Sequence, residues 1–123
     1  MAKRILLVEN EKNLARFVSL ELQKESFLVD LAGTGQEGLA LAKDVDYDLL
    51  LLNYDLQDMT ASDFAKQLSL IKPATVIIVL ASREEIADQQ EAIQHFAVSY
   101  VVKPFIISDL VERVSIIFRG RDF

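Results

Sequence analysis

The order in which apolar and amphipathic segments follow one another is the feature that most constrains the fold. Short apolar runs alternate with longer stretches in which apolar residues recur every three or four positions. Such runs are typical of buried parallel strands, and such stretches are typical of helices packed on a sheet. The predicted strands cover 5–8, 27–31, 49–52, 76–80 and 98–102. Five strands alternating with five helices predict a doubly wound α/β domain with a five-stranded parallel sheet.

Length and composition limit the kinds of protein that this chain can be. Its 123 residues suit one domain, predicted over 1–119, with 120–123 as the start of a linker. The absence of cysteine excludes disulfides and thiolate chemistry. A net charge of -6 argues against direct binding to nucleic acid. No apolar run is long enough for a signal peptide or a membrane span, so we expect no membrane contact and a cytoplasmic location.

Polar residues cluster where the predicted strands end. In a parallel α/β sheet, ligands and chemistry concentrate outside the carboxyl ends of the strands. Polar and small residues follow four of the five predicted strands. They are Glu9, Asn10 and Glu11 after the first, Asn53 and Asp55 after the third, Ala81 and Ser82 after the fourth, and Lys103 after the fifth.

Three stretches at these ends carry a family resemblance. They are 5–9, 48–52 and 100–105, the last reading Tyr-Val-Val-Lys-Pro-Phe. With them the chain resembles the response-regulator receiver domain over nearly its whole length, and within it the receivers of OmpR/PhoB-type winged-helix transcriptional regulators. The resemblance implies a CheY-like, flavodoxin-like (βα)5 fold with strand order 2-1-3-4-5.

The same resemblance implies that the phosphorylation pocket is degenerate. The family's nucleophilic aspartate falls at Asn53, its main Mg²⁺ carboxylate at Asn10, and its phosphate-sensing hydroxyl at Ala81, while Glu9 and Lys103 match. A neutral carboxamide cannot form an acyl phosphate. Mg²⁺ also needs anionic oxygens. We therefore expect a domain that is not an enzyme, is not phosphorylated at position 53, and has no functional Mg²⁺ site.

Two alternatives concern neighbouring residues. A slip of one residue in the fourth strand would place Ser82, rather than Ala81, at the hydroxyl position. Asp55 is a second carboxylate in the following loop and an alternative phosphoacceptor, although further from the expected lysine. In that loop Gln57 and Ala61 replace the family's usual proline and glycine.

Lys103 and Tyr100 are the residues of the fifth strand with an implied role. We expect Lys103 to pair with Glu9 and to hydrogen-bond Asn53; the alternative is a lysine that faces solvent. The resemblance also makes the peptide bond between Lys103 and Pro104 a candidate cis peptide. Tyr100 matches the family's switch aromatic. Because the small residue at position 81 leaves space, the ring can be buried without phosphate; the alternative is an ordinary half-buried tyrosine with its hydroxyl in water.

The face formed by the fourth helix, fifth strand and fifth helix is the implied dimer interface. Its predicted residues are Ile86, Gln90, Phe96, Val98 and Arg113. The resemblance implies paired acidic and basic residues on this face, and fewer of them are present here. A homodimer would therefore depend more on apolar contact. The thin apolar stripe of the fourth helix predicts that this helix is weakly held.

Two functions follow from these features. The first is an atypical receiver that serves as a phosphorylation-independent interaction and dimerisation module in transcriptional regulation. DNA would then be bound only through a further domain absent from this chain. The second is a stand-alone adaptor of receiver fold that binds a partner protein.

Overall fold

The computed structural model describes residues 2–121 and the side chains of 2–120. Five strands alternate with five helices: β1 Arg4–Val8, α1 Lys12–Lys24, β2 Leu28–Ala32, α2 Gly35–Asp44, β3 Leu49–Asn53, α3 Ala61–Ser69, β4 Ile77–Ser82, α4 Arg83–Phe96, β5 Ser99–Lys103 and α5 Ile107–Arg121. All strand pairs are parallel, in the order β2-β1-β3-β4-β5. The predicted fold and strand order are confirmed.

Several element bounds differ from the predicted ones. Strand β2 begins one residue later than predicted: the backbone N–H of Phe27 bonds to Leu22 at the end of α1, and its ring lies 5.4 Å from that of Phe118. Helix α5 continues to Arg121, past the boundary predicted at 119, so the start of a linker at 120 is wrong for 120 and 121. The remaining two residues of that predicted linker, 122–123, lie outside the described residues.

The core has two layers, one on each face of the sheet. Alternate residues of the strands point to opposite faces, so Leu50 and Leu52 join the cluster under α2, α3 and α4, whereas Leu49 and Leu51 join the cluster under α1 and α5. These four side chains have no exposed surface. Strand β3 is therefore buried on both faces, which fixes its carboxyl end in the middle of the sheet.

Helix α4 starts without a loop after β4. Ser82 is the N-cap of α4 and forms a capping box with Glu85, so the first turn of the helix is closed by side chains. Only Ile86 and Ile93 of this helix are buried, as its thin apolar stripe predicted. The helix ends in extended backbone at Ala97, without a residue in the left-handed region.

Membrane insertion of a helix is not supported by the part of the chain described. None of the helices in residues 2–121 combines the length and the apolar character that a membrane span requires.

Candidate functional site

Asn53 lies at the end of β3, and its side-chain amide donates two hydrogen bonds. Its Nδ2 donates to Asn10 Oδ1 at 2.9 Å and to the backbone oxygen of Asp55 at 2.8 Å. The side chain is buried, with 8% of the residue exposed. A buried amide whose donors are satisfied is a stabilising element. The two asparagines thus bridge β3 to the β1–α1 junction, an arrangement the sequence did not predict.

Glu9 and Lys103 form an ion pair across the same strand ends. Lys103 Nζ lies 3.2 Å from both Oε1 and Oε2 of Glu9, and Glu9 is only 3% exposed. The predicted pair with Glu9 is confirmed, and so is the cis peptide at Pro104. The predicted hydrogen bond from Lys103 to Asn53 is wrong for the described residues, because the ammonium is directed at the buried carboxylate.

Ala81 and Ser82 end β4 and differ in exposure and in bonding. Ala81 has no exposed surface and lies in register with Val102, one strand away. The Ser82 oxygen accepts from the backbone N–H of Glu85 in the α4 cap. Ser82 lies in register with Lys103, but its hydroxyl is engaged in the cap of α4.

The loop after β3 folds back on itself. Asp55 is exposed, and its Oδ1 accepts from the backbone N–H of Gln57 at 3.1 Å. Gln57 has a φ of 70°, in the left-handed region that a proline cannot adopt. A proline at position 57 would therefore not fit this loop, and the Asp55 carboxylate serves the loop's own turn.

Asp58 is a residue of this loop that sequence reasoning missed. Its carboxylate accepts from the backbone N–H groups of Gly35 and Gln36, at 2.9 and 3.0 Å, and so caps α2 from outside the helix. Burial opposes ionisation of this group, but the bonds from Gln36 and Gly35 outweigh it and lower the pKa of Asp58. The side chain of Met59 packs so closely on Gly35 that a Cβ there would lie 2.5 Å from it. The loop is therefore clamped onto α2.

Tyr100 lies in the middle of β5, partly buried. It packs against the core cluster that contains Ala81 and Ile86. It also lines a groove of about 690 Å³ between α4, β5 and α5, whose other lining residues include Ile93, Val98 and Ile106.

The predicted interaction face is only partly exposed. Val98 is 60% exposed and Gln90 is exposed, as expected. Ile86 is 8% exposed, which confirms it as an anchor of α4 but leaves it little surface for a partner. Phe96 is half-buried against the core, so the exposed apolar surface expected there is wrong. Both side chains hold α4 on the sheet, since this helix has few other apolar anchors. Arg113 is exposed but donates to Ser99 Oγ and to the backbone oxygen of Tyr100.

Two apolar residues of this face were not found from sequence. Ile106 is 66% exposed and Ile116 is 49% exposed. Ile106 follows the lysine-proline turn, and Ile116 lies on the outer side of α5. The sequence feature that could have identified Ile116 is its position beside the buried stripe of α5, which contains Val114 and Phe118.

Comparison with known proteins identifies relatives over nearly the whole chain. A family model described as the response regulator receiver domain matches residues 5–115. Response regulator ArlR of Staphylococcus epidermidis is 36% identical over 115 residues, which are 94% of this chain and 52% of that protein. Cell cycle response regulator CtrA of Brucella ovis is 35% identical over 116 residues, 94% of this chain and 50% of that protein. The chain thus spans about half the length of these relatives.

Solved structures agree with the family model. The regulatory domain of the repressor of iron transport regulator, RitR, in its inactive form, is 56% identical with a TM-score of 0.92, and the match covers 99% of both chains. A structure described as belonging to a family of streptococcal redox sensors that evolved from two-component response regulators is also 56% identical. Its TM-score is 0.95, with 99% of this chain and 53% of that one covered. CheY4 of Vibrio cholerae is 25% identical with a TM-score of 0.86. On this evidence the chain belongs to the response regulator receiver domain family and has its CheY-like fold.

Proposed function

We propose that this chain is an atypical receiver domain that acts without phosphorylation at position 53, as an interaction and dimerisation module of a transcriptional regulator in the cytoplasm. The observation that carries the proposal is the bonding of Asn53. Its amide donates to Asn10 and to the backbone of Asp55, and so occupies the position where a phosphoacceptor would have to present a free carboxylate oxygen.

The donor set at this position does not fit Mg²⁺. This ion prefers anionic oxygen ligands in near-octahedral geometry. Asn10 and Asn53 offer neutral amides that bind each other, and the carboxylate of Glu9 is neutralised by Lys103. The Asp55 carboxylate is exposed and engaged in its own loop. In this proposal the phosphoryl chemistry of the family has neither its nucleophile nor its main metal carboxylate at this site.

The packing of Tyr100 supports an active-like arrangement that does not depend on phosphate. The ring packs on the cluster containing Ala81, a side chain with no Oγ or γ-methyl group to obstruct it. In this proposal the switch aromatic is held inward constitutively, and the α4–β5–α5 face keeps one conformation.

The α4–β5–α5 face is the proposed homodimer interface. Exposed Val98 and Ile106 supply apolar surface around the groove, and Arg113 is bonded within its own chain. A dimer built on this face would therefore depend on apolar contact more than on ion pairs between copies. DNA would be bound by a further domain, as the greater length of ArlR and CtrA suggests for regulators of this kind. The matched relatives are themselves response regulators, which does not favour the stand-alone adaptor.

The signal in this proposal comes from outside the degenerate pocket. A structure 56% identical to this chain is described as a redox sensor. This chain contains no cysteine among its 123 residues. A redox signal read by a thiol would therefore have to be sensed outside this sequence and be transmitted to the receiver through its contacts.

The proposal is tested by treating the chain with a small phosphodonor and Mg²⁺ and measuring intact mass and sedimentation. We expect no phosphate adduct and an unchanged degree of self-association. The receiver of ArlR serves as the positive control for the phosphodonor. An adduct on this chain, on Asp55 or elsewhere, together with a changed oligomeric state, would contradict the proposal.

A further inference from the structure

The outer edge of the sheet at β2 carries unpaired backbone groups. Strand β2 is the first in the sheet order and pairs with β1 alone. In a parallel ladder, alternate residues of a strand bond to the same neighbour. The N–H of Leu28 bonds to the oxygen of Lys3, and the oxygen of Ala32 bonds to the N–H of Glu9, so the even-numbered residues face β1. The backbone groups of Val29 and Leu31 consequently point outward.

This edge lacks the features by which proteins usually block strand addition. Exposed edges are commonly protected by lysine, proline or a bulge. Strand β2 contains none of these, and its one charged residue, Asp30, is bound by the Tyr47 hydroxyl at 2.7 Å and by Arg4 at 3.4 Å. Leu28 and Leu31 are 54% and 41% exposed. The edge therefore presents apolar side chains together with free backbone donors and acceptors.

A groove at the carboxyl end of β2 adds positive charge. It measures about 480 Å³ and lies between the N-terminal half of α1 and the turn after β2, with Leu31 in its wall. Lys12 and Arg16 line it, and neither has a hydrogen bond or ion pair within residues 2–120. The acidic residues of the groove are engaged: Glu37 accepts from the backbone of Gly33, and Glu9 pairs with Lys103. In a chain of net charge -6, these two cations form a local anion-attracting surface.

We propose that the β2 edge and this groove form a binding site for an extended, acidic peptide segment of another protein, which adds to the sheet as a further strand. Backbone hydrogen bonds to Val29 and Leu31 would supply affinity, and side-chain contacts would supply specificity, as in other cases of strand addition. Side chains of an extended segment alternate between two faces. An acidic residue on the α1 face meets Arg16 and Lys12, and an apolar residue two positions away packs on Leu31.

The site is tested with a fluorescent synthetic peptide in which glutamate and valine stand two positions apart, on one face of the extended chain, with threonine at the intervening positions. Two matched probes accompany it, one with lysine in place of glutamate and one N-methylated on alternate amides. We expect the glutamate peptide to bind and each matched probe to bind about tenfold more weakly or worse, the factor that 1.4 kcal/mol represents. Binding should also slow hydrogen exchange at the amides of Val29 and Leu31, measured by NMR.

Two pairs of variants separate the backbone contribution from the charge contribution. Leu31→Pro removes an outward N–H that no other strand uses, so the fold tolerates it, and it should abolish binding. Leu31→Val keeps the N–H and an apolar side chain, and should retain binding. Arg16→Glu should weaken binding about tenfold, whereas Arg83→Glu, the same change at the start of α4, should leave affinity unchanged. Circular dichroism and urea unfolding check that each variant is folded.

Several results would overturn this inference. They are no binding at millimolar peptide, equal binding of the lysine or N-methylated probe, binding that survives Leu31→Pro, or induction of helix in the bound peptide. The peptide experiment does not depend on position 53, so the inference and the proposed function can fail separately.

Discussion

Strands β3 and β5 belong to the same sheet but differ sharply in how they are covered. Every residue of β3 is buried, and this strand pairs with a neighbour on each side. Every residue of β5 is partly exposed, and the strand lies at an edge beside a helix that is anchored by two isoleucines. Asn53 lies at the end of β3, and β5 belongs to the proposed dimer face.

This difference indicates how the domain divides its tasks. The end of β3 is held by packing, by the Asn10–Asn53 bond and by the clamped loop that follows, so it has little freedom to respond to a ligand. The α4–β5 region has fewer buried contacts, which is where local opening is least costly. The domain thus combines a rigid centre with an adaptable surface.

The largest expected effect is a truncation in β3. Leu51→Ala removes a side chain with no exposed surface and should lower the free energy of unfolding by about 3 kcal/mol, because the cavity cannot collapse. Val101→Ala in β5, where the side chain is partly exposed, should cost about 1 kcal/mol. Urea unfolding measures both, and equal losses would contradict the contrast between the strands.

Breaking the ion pair between the strand ends should have the next largest effect. Lys103→Met leaves the Glu9 carboxylate buried without its partner, at a cost of about 2 kcal/mol, below the usual range because the lysine is partly exposed. Adding Glu9→Gln should restore most of that loss. Lys66→Met, at an exposed lysine, is the control. If Lys103→Met and the wild type have the same free energy of unfolding, the ion pair does not stabilise the folded domain.

Charges placed on the α4–β5–α5 face should weaken self-association. Val98→Glu or Ile106→Glu puts a carboxylate at an exposed apolar position of the proposed interface, and we expect the dimer dissociation constant to rise about tenfold, equivalent to 1.4 kcal/mol. Leu70→Glu makes the same change at a residue that is 84% exposed, after the end of α3. Sedimentation that shows a monomer for the wild type, or equal effects at all three sites, would rule out this interface.

The smallest expected effect concerns Asp58. Asp58→Ala removes the external cap of α2 and should lower the free energy of unfolding by about 0.5–1 kcal/mol. This is at the low end for helix caps because the side chain is exposed. Since the folded pKa of Asp58 is lowered, its contribution is present above the ordinary pKa of an aspartate and is lost as the pH falls through the folded value. The difference between wild type and variant should therefore shrink in acid. A difference that grows as pH falls would contradict this assignment.

The sequence was a good guide where periodicity decides structure and a poor one where loops decide it. The strands ending at Glu9 and Asn53, and the pairing of Lys103 with Glu9, could be inferred because strand order brings those ends together. The Asn10–Asn53 bond could not, because amide orientation depends on local geometry. The cap by Asp58 escaped notice because it depends on the course of a loop with a left-handed residue at Gln57.

Exposure on the interaction face was the other point at which sequence reasoning failed. Phe96 was expected at the surface, but α4 has so few apolar residues that Phe96 helps Ile86 to hold the helix. Exposed Ile106 lies in a turn, where no periodic pattern marks which side faces solvent.

The most direct test of the account is intact-mass measurement of Asn53→Asp after incubation with a phosphodonor and Mg²⁺. The new carboxylate would face Asn10 Oδ1 and the backbone oxygen of Asp55, two acceptors that now receive its amide. It would also lack a carboxylate at position 10 for Mg²⁺ and a hydroxyl at position 81. We expect no stable phosphate adduct on this variant, and an adduct only when Asn10→Asp and Ala81→Thr are added. A robust adduct on Asn53→Asp alone would show that the pocket is intact apart from one residue, and would contradict the account.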